Sequence, residues 1–377
     1  MVRHFTRVGF YFTLLAGVVL SLSSCKKDEE SIDPAPAAPT PYVLTVPAGF
    51  PTPAIPADNP LTNEGVALGR MLFYEKALSS TGSMSCGSCH QQNKAFTDGL
   101  AKAVGVDGVA NPRGSMSLAN VMWSTTLTWD GAFSTLEAQA KHPIENSIEL
   151  HQPLTVGVSK LQKSVTYPSL FLAAFGTRTI TEDLVLKALT QFERTLISSN
   201  SRYDKYLANG RQGFTADEKE GLRLYTTHIT PSIGAPGRGA ECFHCHTLPL
   251  MSSNYAAQFF NNGLDLTFSD PGRGGVTGLP ADQGKFVAPT LRNITLTAPY
   301  MHYGRFTTLE QVLDHYSDHV QMTSPGLDPN LILGINDPLF NPGKMGLTTT
   351  EKRQVLAFLK TLTDSTFVTD KRFSSPF

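Results

Sequence analysis

Two pentapeptides of the form Cys-x-x-Cys-His, Cys86-Gly-Ser-Cys89-His90 and Cys242-Phe-His-Cys245-His246, use four of the five cysteines in the chain. The spacing suits covalent attachment of a c-type haem: two thiols one helical turn apart add to the porphyrin vinyl groups, and the adjoining His is placed to ligate the iron. Two other chemistries use similar residues. A structural zinc site needs four ligands in closed geometry, and the two motifs together would offer six. A thioredoxin-like dithiol uses Cys-x-x-Cys but gives no reason for a His after both copies. The repeated His favours haem at both places, with Cys86, Cys89, Cys242 and Cys245 as attachment points and His90 and His246 as iron ligands.

The fifth thiol, Cys25, leaves no partner for a disulfide and stands just after an apolar leader. Arg3 and Arg7 precede a run from Val8 to Leu20 that is too short to span a bilayer, so residues 1–24 read as a signal peptide. Leu22-Ser23-Ser24-Cys25 is similar to a lipoprotein signal box; the alternative is an ordinary cleaved leader with a stray Cys. An unpaired exposed thiol is a liability in an oxidising compartment, which favours lipidation of Cys25. Residues 25–60 are charged and then rich in Pro and Ala, as in a flexible tether. The expected location is the periplasm, with a lipid anchor in the outer membrane as the only membrane attachment.

Without the first 60 residues about 317 remain, more than one core ordinarily serves. The net charge of −1 gives no reason to expect a nucleic-acid partner. With 31 Gly, 25 Pro and few alternating runs, the chain reads as mainly α: two cytochrome c-like helical domains in tandem, 61–200 and 201–377, with long ordered loops and one covalent haem c each. Thr179-x-x-Glu182, Thr215-x-x-Glu218, Thr307-x-x-Glu310 and Thr348-x-x-Glu351 have capping-box spacing ahead of periodic apolar stretches. A weak repeat supports the tandem: Gly69-Arg70-Met71-Leu72-Phe73-Tyr74 precedes the first Cys motif and Gly221-Leu222-Arg223-Leu224-Tyr225 the second.

From Leu61 to Leu362 the chain resembles the bacterial dihaem cytochrome c peroxidase family, including its MauG-like (methylamine-utilisation) branch. The resemblance rests on an ordered series: Leu68-Gly69-Arg70, Ser85-Cys86-x-x-Cys89-His90, Ala95-Phe96-x-Asp98, Trp129-Asp130-Gly131 and Leu136-Glu137-x-Gln139-Ala140. It continues through His142-Pro143-Ile144-Glu145-Asn146, Phe192-Glu193-Arg194-Thr195-Leu196, Asp270-Pro271-Gly272-Arg273, Pro289-Thr290-Leu291-Arg292-Asn293 and Thr297-Ala298-Pro299-Tyr300-Met301-His302.

Carried over by residue, the resemblance makes His90 the proximal ligand of a peroxidatic haem. Many members cap that iron with a His from a downstream Gly-His loop, but this chain has Gly105-Val106-Asp107-Gly108 there and no His between His90 and His142. The first haem is therefore expected to be five-coordinate from the start. Glu149 matches the family's distal carboxylate, suited to moving a proton between the peroxide oxygens; a solvated surface Glu is the plain alternative. Gln139 is expected to line the pocket, and Trp129 to relay electrons between the haems or simply to fill the core.

At the second haem, the same alignment puts Tyr316 where many members carry an axial Met. Leu309, Val312 and Tyr316 would share one helical face, and Met322, His315 and His319 are rival ligands. A phenolate stabilises higher oxidation states than a thioether does, which tilts the reading toward the MauG-like branch. Thr297 and Pro299 match a calcium-binding segment, whereas the family's Asn ligand is replaced by Gly114.

The implied function is reduction of hydrogen peroxide at the first haem, with electrons relayed from the second and supplied by a small cytochrome or cupredoxin. Two alternatives stand: oxidation of a protein or other partner through a high-valent dihaem state, and a non-enzymatic dihaem electron carrier. A homodimer is frequent in such families.

Overall fold

Four Thr residues show how the chain starts its helices. In the computed structural model, which describes residues 37–229, 239–331 and 344–377 and part of the first nine, Thr62, Thr181, Thr215 and Thr348 each accept a backbone N–H of the following turn. Thr215 and Thr348 close full capping boxes with Glu218 and Glu351, as expected. Two caps differ from expectation. Thr181, not Thr179, reaches Leu184 N, which leaves Glu182 at the first helical position. Thr308 pairs with Gln311, one residue beyond the expected Thr307 and Glu310.

The helices in chain order are α1 (Asn63–Tyr74), α2 (Cys86–Cys89), α3 (Leu136–Glu145), α4 (Leu154–Gln162), α5 (Tyr167–Phe175), α6 (Glu182–Glu193), α7 (Arg202–Ala208), α8 (Ala216–Tyr225), α9 (Cys242–Cys245), α10 (Arg273–Thr277), α11 (Leu309–Asp314) and α12 (Thr349–Lys360). Among the described residues there is no strand, only isolated bridges such as Gln91 with Thr97. The architecture is mainly helical with long ordered loops.

Two helix pairs carry the repeat seen in the sequence. Gly69 on α1 lies so close to α6 that a Cβ would come within 1.9 Å of the Ala188 carbonyl oxygen. Gly221 on α8 stands in the same relation to α12, where a Cβ would meet the Gln354 carbonyl oxygen at 2.0 Å. Phe192 and Phe358, one turn further on, pack beside these crossings. Each pair anchors one apolar cluster. The first gathers Leu72, Phe73, Leu189 and Phe192; the second gathers Leu224, Tyr225, Val355 and Phe358. Burying each such side chain contributes about 1.5–3 kcal/mol. Phe367 and Phe373, near the chain's end, pack in the first cluster.

Two expectations are corrected. Most of the leader, with Cys25, lies outside the described residues, but the second half of the segment read as a flexible tether is part of the fold. Tyr42 N donates to Leu61 O at 3.0 Å, Phe50 packs edge-on against Trp123 with ring centroids 5.2 Å apart, and the Trp123 indole N–H donates to Pro51 O at 2.7 Å. The few apolar side chains in this Pro-rich stretch, Leu44, Phe50 and Ile55, are enough to dock it. The second correction concerns α11, which gives way to a π-helical segment at His315–His319. Tyr316 lies in this widened turn and still packs with Leu309 on the second core, so its inward orientation is kept. Such widened turns recur at functional sites.

Candidate functional site

Each Cys motif forms one helical turn. In α2, Ser85 and Ser88 close a reciprocal cap and His90 N returns to Cys86 O; in α9, His246 N returns to Cys242 O. Positions i and i+3 of a turn share a face, so both thiols point the same way with the His directly after them. All four thiols are free and partly exposed. Burial pushes Cys86 up to about 12 and Cys89 to about 11, the opposite of the depressed value a redox dithiol needs. Among the described residues no group of three or more His, Cys, Asp or Glu could hold a metal ion, so a closed zinc site has no support.

The two His rings are prepared alike. His90 Nδ1 lies 2.9 Å from Phe96 O, and His246 Nδ1 lies 3.0 Å from Pro289 O. A carbonyl only accepts, so Nδ1 carries the proton and Nε2 keeps its lone pair for a metal. Desolvation lowers His90 and takes His246 down to about 4, which keeps both imidazoles neutral, the form a metal requires.

A cavity of about 460 Å³ opens beside the first motif, with Cys86, Cys89 and His90 on its wall together with Phe73, Met116, Gln139, Trp129, Glu149 and Glu193. A cavity of this size, with mixed apolar and polar walls, is in the range of cofactor sites. Paired free thiols, a His with an available Nε2 and an adjoining cavity fit a covalently attached haem. At the second motif, Cys242 and Phe243 are partly buried and pack against the second core, as do Tyr300, Tyr316 and Met322.

Glu149 reaches the first cavity from the loop after α3. Asn146 Nδ2 donates to Glu149 Oε1 at 2.7 Å, and the same amide lies 3.4 Å from His142 Nε2. Pro143 is inside α3, but its neighbours keep their backbone pairing: Asn146 N donates to His142 O, and Leu150 N to Pro143 O. The 99–111 loop, which contains no His, is bound to the Glu149 backbone. Val106 N donates to Glu149 O at 2.7 Å, Asn111 Nδ2 to Ile148 O at 3.3 Å, and His151 Nδ1 lies 2.6 Å from Asp107.

Trp129 donates its indole N–H to Gly114 O at 2.9 Å, and its ring centroid lies 6.5 Å from that of His302. Arg113 ties this wall together with ion pairs to Asp130 at 2.6 Å and Asp270 at 2.8 Å. Their hydrogen bonds hold the guanidinium's pKa well above its usual range against the cost of burial.

Tyr316 lies near Cys242 and Cys245, and burial pushes its phenol well above the usual range. Asn262 Nδ2 donates to its oxygen at 3.3 Å. Of the rival ligands, His315 has its Nε2 3.2 Å from Asn262 O, His319 is exposed, and Met322 packs on the second core. At the segment of Thr297 and Pro299, Gly114 offers no side-chain oxygen. Its N–H is given to His302 O and its carbonyl receives Trp129, so the donor set for calcium is short of a ligand.

Sequence reading missed Asn146 as the support of Glu149, Asn262 as the partner of Tyr316, and the Arg113 ion pairs. The first two are single amides whose partners are set by loop geometry, which no periodicity reveals. Glu193 was legible as part of a motif, but its burial was not.

A family model described as di-haem cytochrome c peroxidase matches residues 63–212. The methylamine utilization protein MauG of Methylorubrum extorquens is 34% identical over 81% of this chain and 80% of its own length. The cytochrome c551 peroxidase of Nitrosomonas europaea is 32% identical over 71% and 77% respectively. A solved structure of a MauG-like protein associated with microbial copper homeostasis is 37% identical, with a TM-score of 0.76, covering 89% of this chain and 99% of that one.

Proposed function

The chain belongs to the di-haem cytochrome c peroxidase family, as an oxidoreductase with two c-type haems, and from that premise we propose that it reduces hydrogen peroxide in the cavity beside His90. The observation that carries this reading is a carboxylate and an available His Nε2 on one cavity, with no His in the loop that would close it. The haem attached through Cys86 and Cys89 supplies the iron that binds peroxide and the redox chemistry that cleaves its O–O bond.

The protein's own groups handle protons and position. Hydrogen peroxide takes two electrons and two protons and yields two waters. Glu149 accepts the proton of the inner peroxide oxygen and returns it to the outer one, so that the leaving group departs as water. Asn146 donates to Oε1, and Oε2 is the oxygen assigned to the proton transfer. Gln139 is a second polar group on the wall. Trp129, which donates its indole N–H to Gly114 O and lines the cavity wall, is assigned the electron relay in this reading.

The test is peroxide consumption by the holoprotein with a reduced small cytochrome as donor. Glu149→Gln is expected to lower turnover by about 10²–10⁴ with both haem spectra unchanged; undiminished turnover overturns the assignment. Trp129→Phe is expected to slow electron delivery while leaving the spectra in place.

One observation favours a second reading, oxidation of a partner protein or other substrate. Tyr316 stands near the second pair of thiols with its oxygen hydrogen-bonded by Asn262, and an oxygen ligand there would favour storage of oxidising equivalents over electron entry. Consumption of peroxide without oxidation of any small-cytochrome donor would select it. The reading also takes the protein to be exported and anchored through Cys25, supported by the basic start, the short apolar run and the Leu22-Ser23-Ser24-Cys25 box.

A further inference from the structure

Peroxide chemistry as described uses one of three carboxyl groups on the first cavity, Glu149; a second, Asp130, is ion-paired with Arg113 at 2.6 Å. The third, Glu193, closes α6 and reaches the cavity beside Cys86. The residue is 7% exposed, and its Oε2 is buried without a hydrogen-bond partner. A buried acceptor left unpaired is costly, and its presence calls for an explanation.

Its surroundings do not neutralise it. Arg194 follows it directly, but that guanidinium is committed to Glu137 at 2.8 Å and to Thr190 Oγ1 at 2.9 Å. From α2 the Cys86 thiol feels the charge of Glu193, and haem attachment would convert that thiol to a neutral thioether. From α1 the cavity wall is the Phe73 ring, and from α3 the charge felt is that of Glu137. Burial dominates and pushes the Glu193 carboxyl up to about 8, with Arg194 opposing and Glu137 adding to the rise. Glu149 differs in kind: it is hydrogen-bonded to Asn146 and half-buried. Two carboxyls on one cavity with such different environments divide their roles.

We infer that Glu193 is the redox-linked proton site of this cavity, taking up a proton when the haem attached at Cys86 accepts an electron and releasing it when that electron leaves. The balance is simple: one electron enters from a reductant such as a reduced small cytochrome, one proton enters from water, and the carboxylate becomes a carboxylic acid. The net charge of the buried region is then unchanged. An uncompensated charge in a low-dielectric interior is what the arrangement avoids. The inference rests on the reading above only for the haem at Cys86 and needs no peroxide chemistry.

Redox titration of the holoprotein across about pH 6 to 9 tests it, with each haem followed by its absorbance. Lower pH favours the protonated, reduced state, so the potential of the first haem is expected to fall as pH rises, by up to about 59 mV per tenfold change in proton activity. Glu193→Gln is expected to flatten that slope with both haems still attached. Glu149→Gln is expected to keep the slope while losing peroxide turnover, so failure of the peroxidase reading and failure of this inference are separable. The redox-difference infrared spectrum of the wild type is the second measurement, expected to gain a carboxylic-acid carbonyl band on reduction. An unchanged slope in Glu193→Gln, a flat wild-type profile, or no such band overturns the inference.

Discussion

Val106 donates its backbone N–H to the carbonyl oxygen of Glu149 at 2.7 Å, so the loop at the cavity wall and the proposed acid are one structural unit. In family members that cap the iron, the corresponding loop must leave before peroxide can bind. Here it brings no His, and it is also secured by Asn111 and by the His151–Asp107 pair. The first haem is therefore expected to be open in the fully oxidised protein. An electron paramagnetic resonance spectrum should show a high-spin ferric signal that cyanide converts to low spin, before any reductant is added. Finding only low-spin iron would sink this prediction.

The same contact makes Gly105 sensitive. A Cβ there would lie 2.0 Å from Ile148 O and 2.8 Å from Glu149 O, both backbone atoms that cannot swing aside. Gly105→Ala should displace the Glu149 segment and cost about 1–3 kcal/mol in stability, the usual range for overpacking. Because the Cys motif is on another element, haem attachment should survive while peroxide turnover falls. Full turnover with unaltered thermal stability would show that the loop yields without disturbing the carboxylate.

Gly69 and Gly221 offer a paired test of the repeat. Each lets a helix approach a carbonyl on its partner, Ala188 O and Gln354 O respectively. Alanine at either position should destabilise, through steric overlap rather than helix propensity, which favours Ala over Gly by about 1 kcal/mol. The two losses should be similar in size in chemical denaturation of the holoprotein. A stabilising effect at either site would mean that the helix pair is not set by close approach.

What was legible in the sequence follows from which physics is local. The Cys-x-x-Cys-His turns and the Thr215 and Thr348 caps depend on neighbours in the chain, and the structure shows each of them; the Gly69/Gly221 repeat was visible as a pattern, but the helix crossings that explain it, at Ala188 and Gln354, were not. Thr181 and Thr308 were displaced by one or two residues because several Thr residues compete for each cap. The docking of Phe50 against Trp123 depends on a partner 73 positions away in a Pro-rich context, where composition alone argues for a tether. The π-helical segment at His315–His319 has no sequence signal that periodicity detects, although the inward position of Tyr316 beside Leu309 was legible from helical spacing.

Tyr316 and Asn262 supply the last prediction. The side-chain amide of Asn262 donates to the phenol oxygen at 3.3 Å and also lies 3.5 Å from Met301 Sδ, while its backbone carbonyl engages His315 Nε2. One residue thus supports the Tyr and restrains its neighbouring rival. If the phenol oxygen binds the second iron, Tyr316→Met should raise that haem's reduction potential by replacing an anionic oxygen with a neutral thioether. Asn262→Leu should act in the opposite direction. A hydrogen bond to a charged oxygen contributes about 1.5–3 kcal/mol, and its loss leaves the oxygen a stronger electron donor to the iron, so the potential should fall. Opposite shifts from the two substitutions, measured by redox titration with the first haem unaffected, identify Tyr316 as the ligand. If neither moves the potential, the phenol is a core group and the second haem takes its sixth ligand elsewhere.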